Sequence, residues 1–351
     1  MPRLAGPKTI VAARNHWIGK KPKQNSAAAA GAASAFRVDP RSGALTAHGS
    51  RDDLTSRPVH CSVDRSGRYL LTAYNHPSNI TVHRIGQDGT IGERIPQRDD
   101  LDLGIFAHQV LTTPGDRTAI LVTRGNNAQP GRPEDPGALK VYRFEDGVLS
   151  NVASIARGNG LGFGPRHFDV HPNGKWLFLS VERQSELHVY KIDDDGTLPR
   201  DAMFIRSSLI DPANGSDPAQ MAGAIPVHPS GRFVYLTNRN SGTEEIGGRR
   251  VFKGGENNIA TFSIDPQTGE PHRIQNIDAH ANHLRTFAID PSGKLLIAAS
   301  IEPMPMRDGS ILPAALVLYR IGPDGRLEFV RKYEVETGRF MQFWTGIVAL
   351  P

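Results

Sequence analysis

His108, Arg166, Glu182 and Arg285 supply an imidazole, a carboxylate and two guanidinium groups. An imidazole or a carboxylate can act as general base toward water. Paired guanidiniums fork onto the oxygens of a phosphate or carboxylate in a way that lysine does not reproduce. A recurring phrase groups these four. It turns on Arg65, Pro114, Pro172, Pro229 and Pro291, and six residues ahead of that turn stand Val59, His108, Arg166, Gly223 and Arg285. Ten residues after it stand Asn75, Arg124, Glu182, Arg239 and Ile301, among which Glu182 is the only acid. A lone arginine at a strand entry often makes a weak surface ion pair, and Arg166 with Glu182 also fits a purely structural pair. Three large cationic or titratable groups in one column point instead to a shared site, with His167 and Asn75 beside it.

The phrase itself reads VDRSGRYLLTA at Val63–Ala73, LTTPGDRTAILV at Leu111–Val122, VHPNGKWLFLS at Val170–Ser180, VHPSGRFVYLT at Val227–Thr237 and IDPSGKLLIAA at Ile289–Ala299. An apolar run, a tight Gly-bearing turn and a second apolar run make a β-hairpin. Its antiparallel geometry puts the entry of the first strand and the end of the second at one edge. A second hairpin signature follows, as in HRIGQDGTI (His83–Ile91), YRFEDGVL (Tyr142–Leu149), YKIDDDGTL (Tyr190–Leu198) and YRIGPDGRL (Tyr319–Leu327). Two hairpins per unit give four strands, and such a unit buries both faces only between neighbours, so the expected fold is an all-β propeller of four-stranded antiparallel blades. Five units and one assembled from the two termini make six blades. Closure is expected from pairing of the strand Thr9–Arg14 with an apolar strand at Phe343–Leu350.

The array runs through all 351 residues and predicts a single domain, 1–351. The 36 glycines and 26 prolines suit short strands and many turns. The formal charge of +5 is spread along the chain rather than gathered in a basic tract, which excludes nucleic acid as the expected partner. Cys61, the single cysteine, allows no internal disulfide and no multi-cysteine metal site, and fits a reducing compartment. No run approaches the roughly 18 apolar residues of a membrane span, and the N-terminal residues lack the apolar core of a signal peptide. No membrane partner and a cytoplasmic location are expected. The Ala-rich Ser26–Ala35 reads as a loop between strands, and the long stretches at Gln129–Gly137, Ser241–Gly255 and Ile301–Pro313 as insertions that could form a lid or an oligomer contact.

GPRHFDVHPNG (Gly164–Gly174) followed by Val181-Glu182, VHCSVDRSG (Val59–Gly67) and LRTFAIDPSG (Leu284–Gly293) resemble the seven-bladed β-propeller lactonases, which include bacterial 6-phosphogluconolactonase and fungal 3-carboxymuconate cyclase. The resemblance spans nearly the whole chain. It implies hydrolysis or reversible formation of a small anionic lactone without metal or other cofactor. Position by position it implies an active-site His at His108, Arg at Arg166 and Arg285, and Glu at Glu182. Val181 stands where the family usually has Asn, and the family carries one blade more before Ala33–Ser50 than can be counted here.

Lactone hydrolysis needs an activated water, support for the oxyanion and a proton for the leaving alkoxide. The expected roles are general base for His108 or Glu182, with His108 favoured because neighbouring arginines weaken Glu182 as a base. Arg166 and Arg285 are expected to bind the anionic group and the oxyanion. Two alternatives stay open. A metal-dependent lactonase of six-bladed type would need several converging carboxylate or amide oxygens, and the two columns offer only Glu182 and Asn75. A non-catalytic propeller serving as a binding platform would not need the mixed set of groups.

Overall fold

The computed structural model describes residues 31–338 and 340–350, and the backbone of residues 9–15. It divides into two compact units. Of the described residues, the first holds those up to Gly164 with Asp193–Arg200 and Val348–Leu350; the second holds those of Pro165–Ile192 and Asp201–Ile347.

In the first unit, Pro58–Val63, Tyr69–Asn75, Ser78–Ile85 and Ile91–Ile95 form one antiparallel four-stranded sheet. Ala107–Thr112, Thr118–Thr123, Ala138–Glu145 and Val148–Ile155 form another, and Thr9–Asn15, Gly31–Val38 and Leu45–Asp53 a three-stranded one. The second unit has three four-stranded sheets. These are Pro165–Val170, Trp176–Val181, Glu186–Lys191 and Phe204–Ser207; then Gln220–Ala222, Phe233–Asn240, Asn258–Ile264 and Pro271–Asp278; then Leu284–Ile289, Leu295–Ser300, Ala315–Ile321 and Leu327–Glu334. Each is the meander expected of a blade.

Burial follows position in the sheet. Thr118–Thr123, Trp176–Val181 and Phe233–Asn240, each second in its sheet, are buried at every residue because neighbours cover both faces. The outermost Leu327–Glu334 buries Leu327 alone. Within the second unit, Trp176, Phe178, Phe262 and Ile264 pack the first sheet on the second, and Tyr235, Phe287 and Tyr319 pack the second on the third.

The turn phrase also latches one sheet to the next. His171 Nε2 donates to the Gly231 carbonyl at 2.9 Å and His228 Nε2 to that of Gly293 at 2.8 Å, while Nδ1 of each ring accepts from the backbone N–H of Asn173 or Ser230. Gly231 has φ +76°, and a Cβ there would lie 2.5 Å from His171 Nε2. Both the left-handed backbone and the imidazole therefore require glycine.

Three expectations need correction. Thr9–Asn15 pairs with Gly31–Val38, in register from Thr9 opposite Arg37 to Asn15 opposite Gly31, and residues 340–350 carry no strand. The C-terminal apolar residues are held by side chains instead: Gln342 Nε2 donates to the Ser300 carbonyl at 2.9 Å, and the rings of Phe343 and Trp344 are engaged elsewhere. The Ala-rich stretch is strand from Gly31 onward, with Ala32, Ala33 and Ala35 buried, small side chains suiting close sheet packing; residues 26–30 lie outside the described residues. Finally, the strand after Tyr190 begins at Phe204 and not near Leu198, since Pro199 cannot donate to a ladder.

Gly231→Ala should lower unfolding free energy by about 2 kcal/mol, from left-handed strain and displacement of His171. Urea titration should show part of that loss disappearing in a His171→Ala background, where the added methyl meets no ring; full additivity would rule out the latch.

Candidate functional site

Four of the five strand-entry positions are β-bulges. Pro58 faces Tyr74 and His60 faces Ala73, which leaves Val59 as the extra residue. The same irregularity falls between Ala107 and Gln109, between Pro165 and His167, and between Leu284 and Thr286, so His108, Arg166 and Arg285 are each the bulged residue. A bulge turns a side chain out of the alternation its strand would impose. The exception is Gly223, where a Cβ would stand 2.1 Å from Thr237 Oγ1. That blade supplies its guanidinium from the second column, as Arg239 on Phe233–Asn240.

In the second unit these residues form one charged cluster. Glu182 Oε2 lies 2.7 Å from Arg166 Nε and accepts from Arg239 Nη2 at 2.8 Å. All three side chains are at most 4% exposed. Arg239 Nη1 donates to His283 Nε2, and Arg166 Nη1 donates to His167 Nδ1 at 2.9 Å. Guanidinium nitrogens only donate, so these ring nitrogens carry no proton: His283 is neutral with its proton on Nδ1, and His167 is neutral with its proton on Nε2. Burial, reinforced by Arg239, Arg285 and Arg166, holds His283 well below the ordinary imidazole value against the opposing pull of Glu182. The same influence places Arg285 in the cluster; it is half-buried, and its guanidinium lies 4.6 Å from the centroid of the Phe343 ring. Trp344 stacks on His167, with centroids 5.4 Å apart and planes 25° apart.

Arg166, Arg239 and Arg285 thus gather around Glu182, with Arg285 the least buried of the three. The forked donors of a guanidinium suit the oxygens of a phosphate or carboxylate.

Of the residues singled out in the sequence, Arg166, Glu182, Arg285 and His167 lie in the second unit, the first three in the cluster and His167 bonded to it. His108 and Asn75 belong to the first unit. His108 is buried on its bulged strand, and Asn75 ends the strand Tyr69–Asn75, opposite Ser78. Two residues before His108, Phe106 holds φ +61°, its carbonyl accepts from Arg124 N–H at 3.0 Å, and the Arg124 guanidinium lies 4.5 Å from its ring centroid. A bulky residue in the left-handed region marks stored strain. Sequence reasoning passed over Arg239, His283, Phe343 and Trp344. Arg239 stands in the same column as Glu182 and is legible there; His283 lies in neither column. Among the described residues no three His, Cys, Asp or Glu side chains converge as a metal site requires, and no helix is long and apolar enough to cross a membrane.

Residues 21–302 match the family model described as Lactonase, 7-bladed beta-propeller. The 6-phosphogluconolactonase of Bacillus subtilis (strain 168) is 25% identical over 279 residues, 78% of this chain and 71% of that protein. The 6-phosphogluconolactonase of Pectobacterium carotovorum subsp. carotovorum (strain PC1) is 28% identical over 322 residues, 90% of this chain and 81% of that protein. Among solved structures, the periplasmic gluconolactonase of Pseudomonas aeruginosa superposes with a TM-score of 0.62 at 19% identity, over 93% of this chain and 83% of that one, a likeness of fold.

Native His283 stays neutral where the unfolded imidazole, near 6.5, takes up a proton. Below that pH the unfolded chain binds more protons, so this residue's contribution to stability is complete above about 6.5 and falls with acid, by up to about 1.4 kcal/mol per pH unit. His283→Gln, which still accepts from Arg239, should flatten the acid limb of stability between about pH 5 and 6.5 in denaturant titrations. His83 keeps its own contribution there, burial outweighing Asp52 at 3.0 Å. An unchanged limb would mean that His283 is already protonated in the fold.

Proposed function

The chain belongs to the 7-bladed β-propeller lactonases, and from that premise we propose that it hydrolyses a small anionic lactone of the 6-phosphogluconolactone type. The observation that carries this reading is the gathering of Arg166, Arg239 and Arg285, with the imidazoles of His167 and His283, around Glu182 in a chain of this family. The forked donors of arginine match the oxygens of a phosphate or carboxylate arm.

In the proposed reaction, water adds to the lactone carbonyl carbon and gives up a proton to the base. The carbonyl oxygen becomes an oxyanion held by a guanidinium, the ring C–O bond breaks, and the alkoxide takes a proton to leave a hydroxy acid. Arg285 is the guanidinium most open to solvent and is proposed to meet the substrate first, with Arg166 behind it. Glu182 is proposed as a positioning residue: two guanidiniums on one oxygen favour its charged form and make it a poor base. The imidazoles of His167 and His283 each present a lone pair to an arginine and are occupied in the same way. None of these three second-unit side chains is therefore proposed as the base. Carbohydrate metabolism and a cytoplasmic location belong to the same proposal, the latter supported by the single cysteine. The solved P. aeruginosa protein of similar fold is periplasmic.

With 6-phosphogluconolactone, Arg166→Ala and Arg285→Ala should each lower kcat/KM by about 10²–10³, and lysine at either position should not restore it. Wild-type rates in both arginine variants would overturn the proposal.

A further inference from the structure

Residues 279–283 connect the second and third sheets of the second unit, and two of them hold an unusual backbone. His280 and His283 have φ +52° and +54°, left-handed values uncommon outside glycine. Such a conformation persists where surrounding contacts over-determine it. At His283 they do. Its N–H donates to Asn257 Oδ1 at 2.7 Å, and Asn282 Nδ2 donates to the Asn240 carbonyl at 3.1 Å. Asn257 Nδ2 donates to that same carbonyl, also at 3.1 Å, so one amide ties His283 to the residue after Arg239.

This scaffold settles both ring nitrogens. Nε2 accepts from Arg239 Nη1, and Arg239 Nη2 donates to Glu182 at 2.8 Å. The ring proton is therefore on Nδ1. That N–H has no hydrogen-bond partner among the described residues, although the residue is only 9% exposed. It differs from the orphaned Nδ1 of His83 in the first unit, which is sealed from water. A donor so deeply placed and left unpaired is costly, and an arriving acceptor removes the cost. A guanidinium bonded to one ring nitrogen also polarises the ring and strengthens the N–H on the other. A neutral imidazole of this kind suits a carbonyl oxygen that gains negative charge.

We infer that His283 is a further catalytic residue, its Nδ1–H donating a hydrogen bond to the carbonyl oxygen of the lactone as that oxygen becomes an oxyanion. This rests on the lactonase reading above and adds to it a donor aimed by Arg239 and Asn257. The proton is not transferred. Water adds to the carbonyl carbon, the C=O π pair moves onto the oxygen, and Nδ1–H bonds to that oxygen until the ring C–O bond breaks.

Steady-state hydrolysis of 6-phosphogluconolactone tests this with two amides that divide the imidazole between them. In His283→Gln the amide stands where Nε2 was and still accepts from Arg239, but the Nδ1 donor is gone. In His283→Asn an amide N–H stands where Nδ1–H was, and Arg239 loses its acceptor. His283→Gln should lower kcat by about 10²–10³, the loss from one oxyanion donor, with KM within about twofold. His283→Asn should recover about tenfold of that loss, although urea titration near neutral pH should show it to be the less stable of the two. Wild-type kcat in His283→Gln would overturn the inference and leave the lactonase reading standing. So would a His283→Asn variant no faster than His283→Gln, since activity would then follow the structural contact with Arg239. A wild type that opens no lactone would sink the lactonase reading and this inference with it.

Discussion

One carboxylate oxygen organises the second unit's cluster. Glu182 Oε2 is shared by guanidiniums from two sheets, Arg166 at 2.7 Å and Arg239 at 2.8 Å, all but sealed from water. Removing one member of such a buried set commonly costs about 3–5 kcal/mol, because the remaining charges lose their partner. The orientation of everything nearby follows. Arg166, fixed by Glu182, presents Nη1 to His167, and Arg239 presents Nη1 to His283. The imidazoles are thereby set as acceptors, a state that neutral rings alone provide.

The repeat explains how three sheets deliver cations to one place. The strands Pro165–Val170 and Leu284–Ile289 each carry one residue too many at their entry, and the resulting bulge swings that side chain out of the strand's alternation. The blade holding Gly223 cannot use the device, because Thr237 Oγ1 occupies the space a side chain would need. It sends Arg239 from the adjacent strand instead. A repeated backbone irregularity, with one substitution of strand for strand, builds a site from similar parts.

The hairpins were legible because Pro-Ser-Gly turns between apolar runs leave the backbone few options, and the two columns were legible because antiparallel strands share a rim. Arg166, Glu182 and Arg285 were found on that basis. His283 was not: its role depends on a donor 44 residues away, Arg239, and no local pattern announces it. The C-terminal FWTGIVAL reads as a strand by composition, but Phe343 and Trp344 are drawn to a cation and an imidazole, contacts that period-2 reasoning does not contain. The latch histidines resist for another reason. His171 and His228 occupy the same position of the phrase as Asp64 and Asp290, so only the structure shows that an imidazole there crosses to the next turn.

Burial grades the three guanidiniums. Arg166 and Arg239 are 1% and 3% exposed and meet the same Glu182 oxygen, whereas Arg285 is half-buried with its guanidinium 4.6 Å from the Phe343 centroid. Charges attract more strongly where the local dielectric is low, so the sealed pair is held by Glu182 more firmly than a water-screened pair would be. Burial costs such a pair its hydration, and the shared carboxylate is what offsets that cost. The same grading leaves Arg285 as the guanidinium that solvent reaches most readily, resting on an aromatic face rather than on the shared carboxylate oxygen.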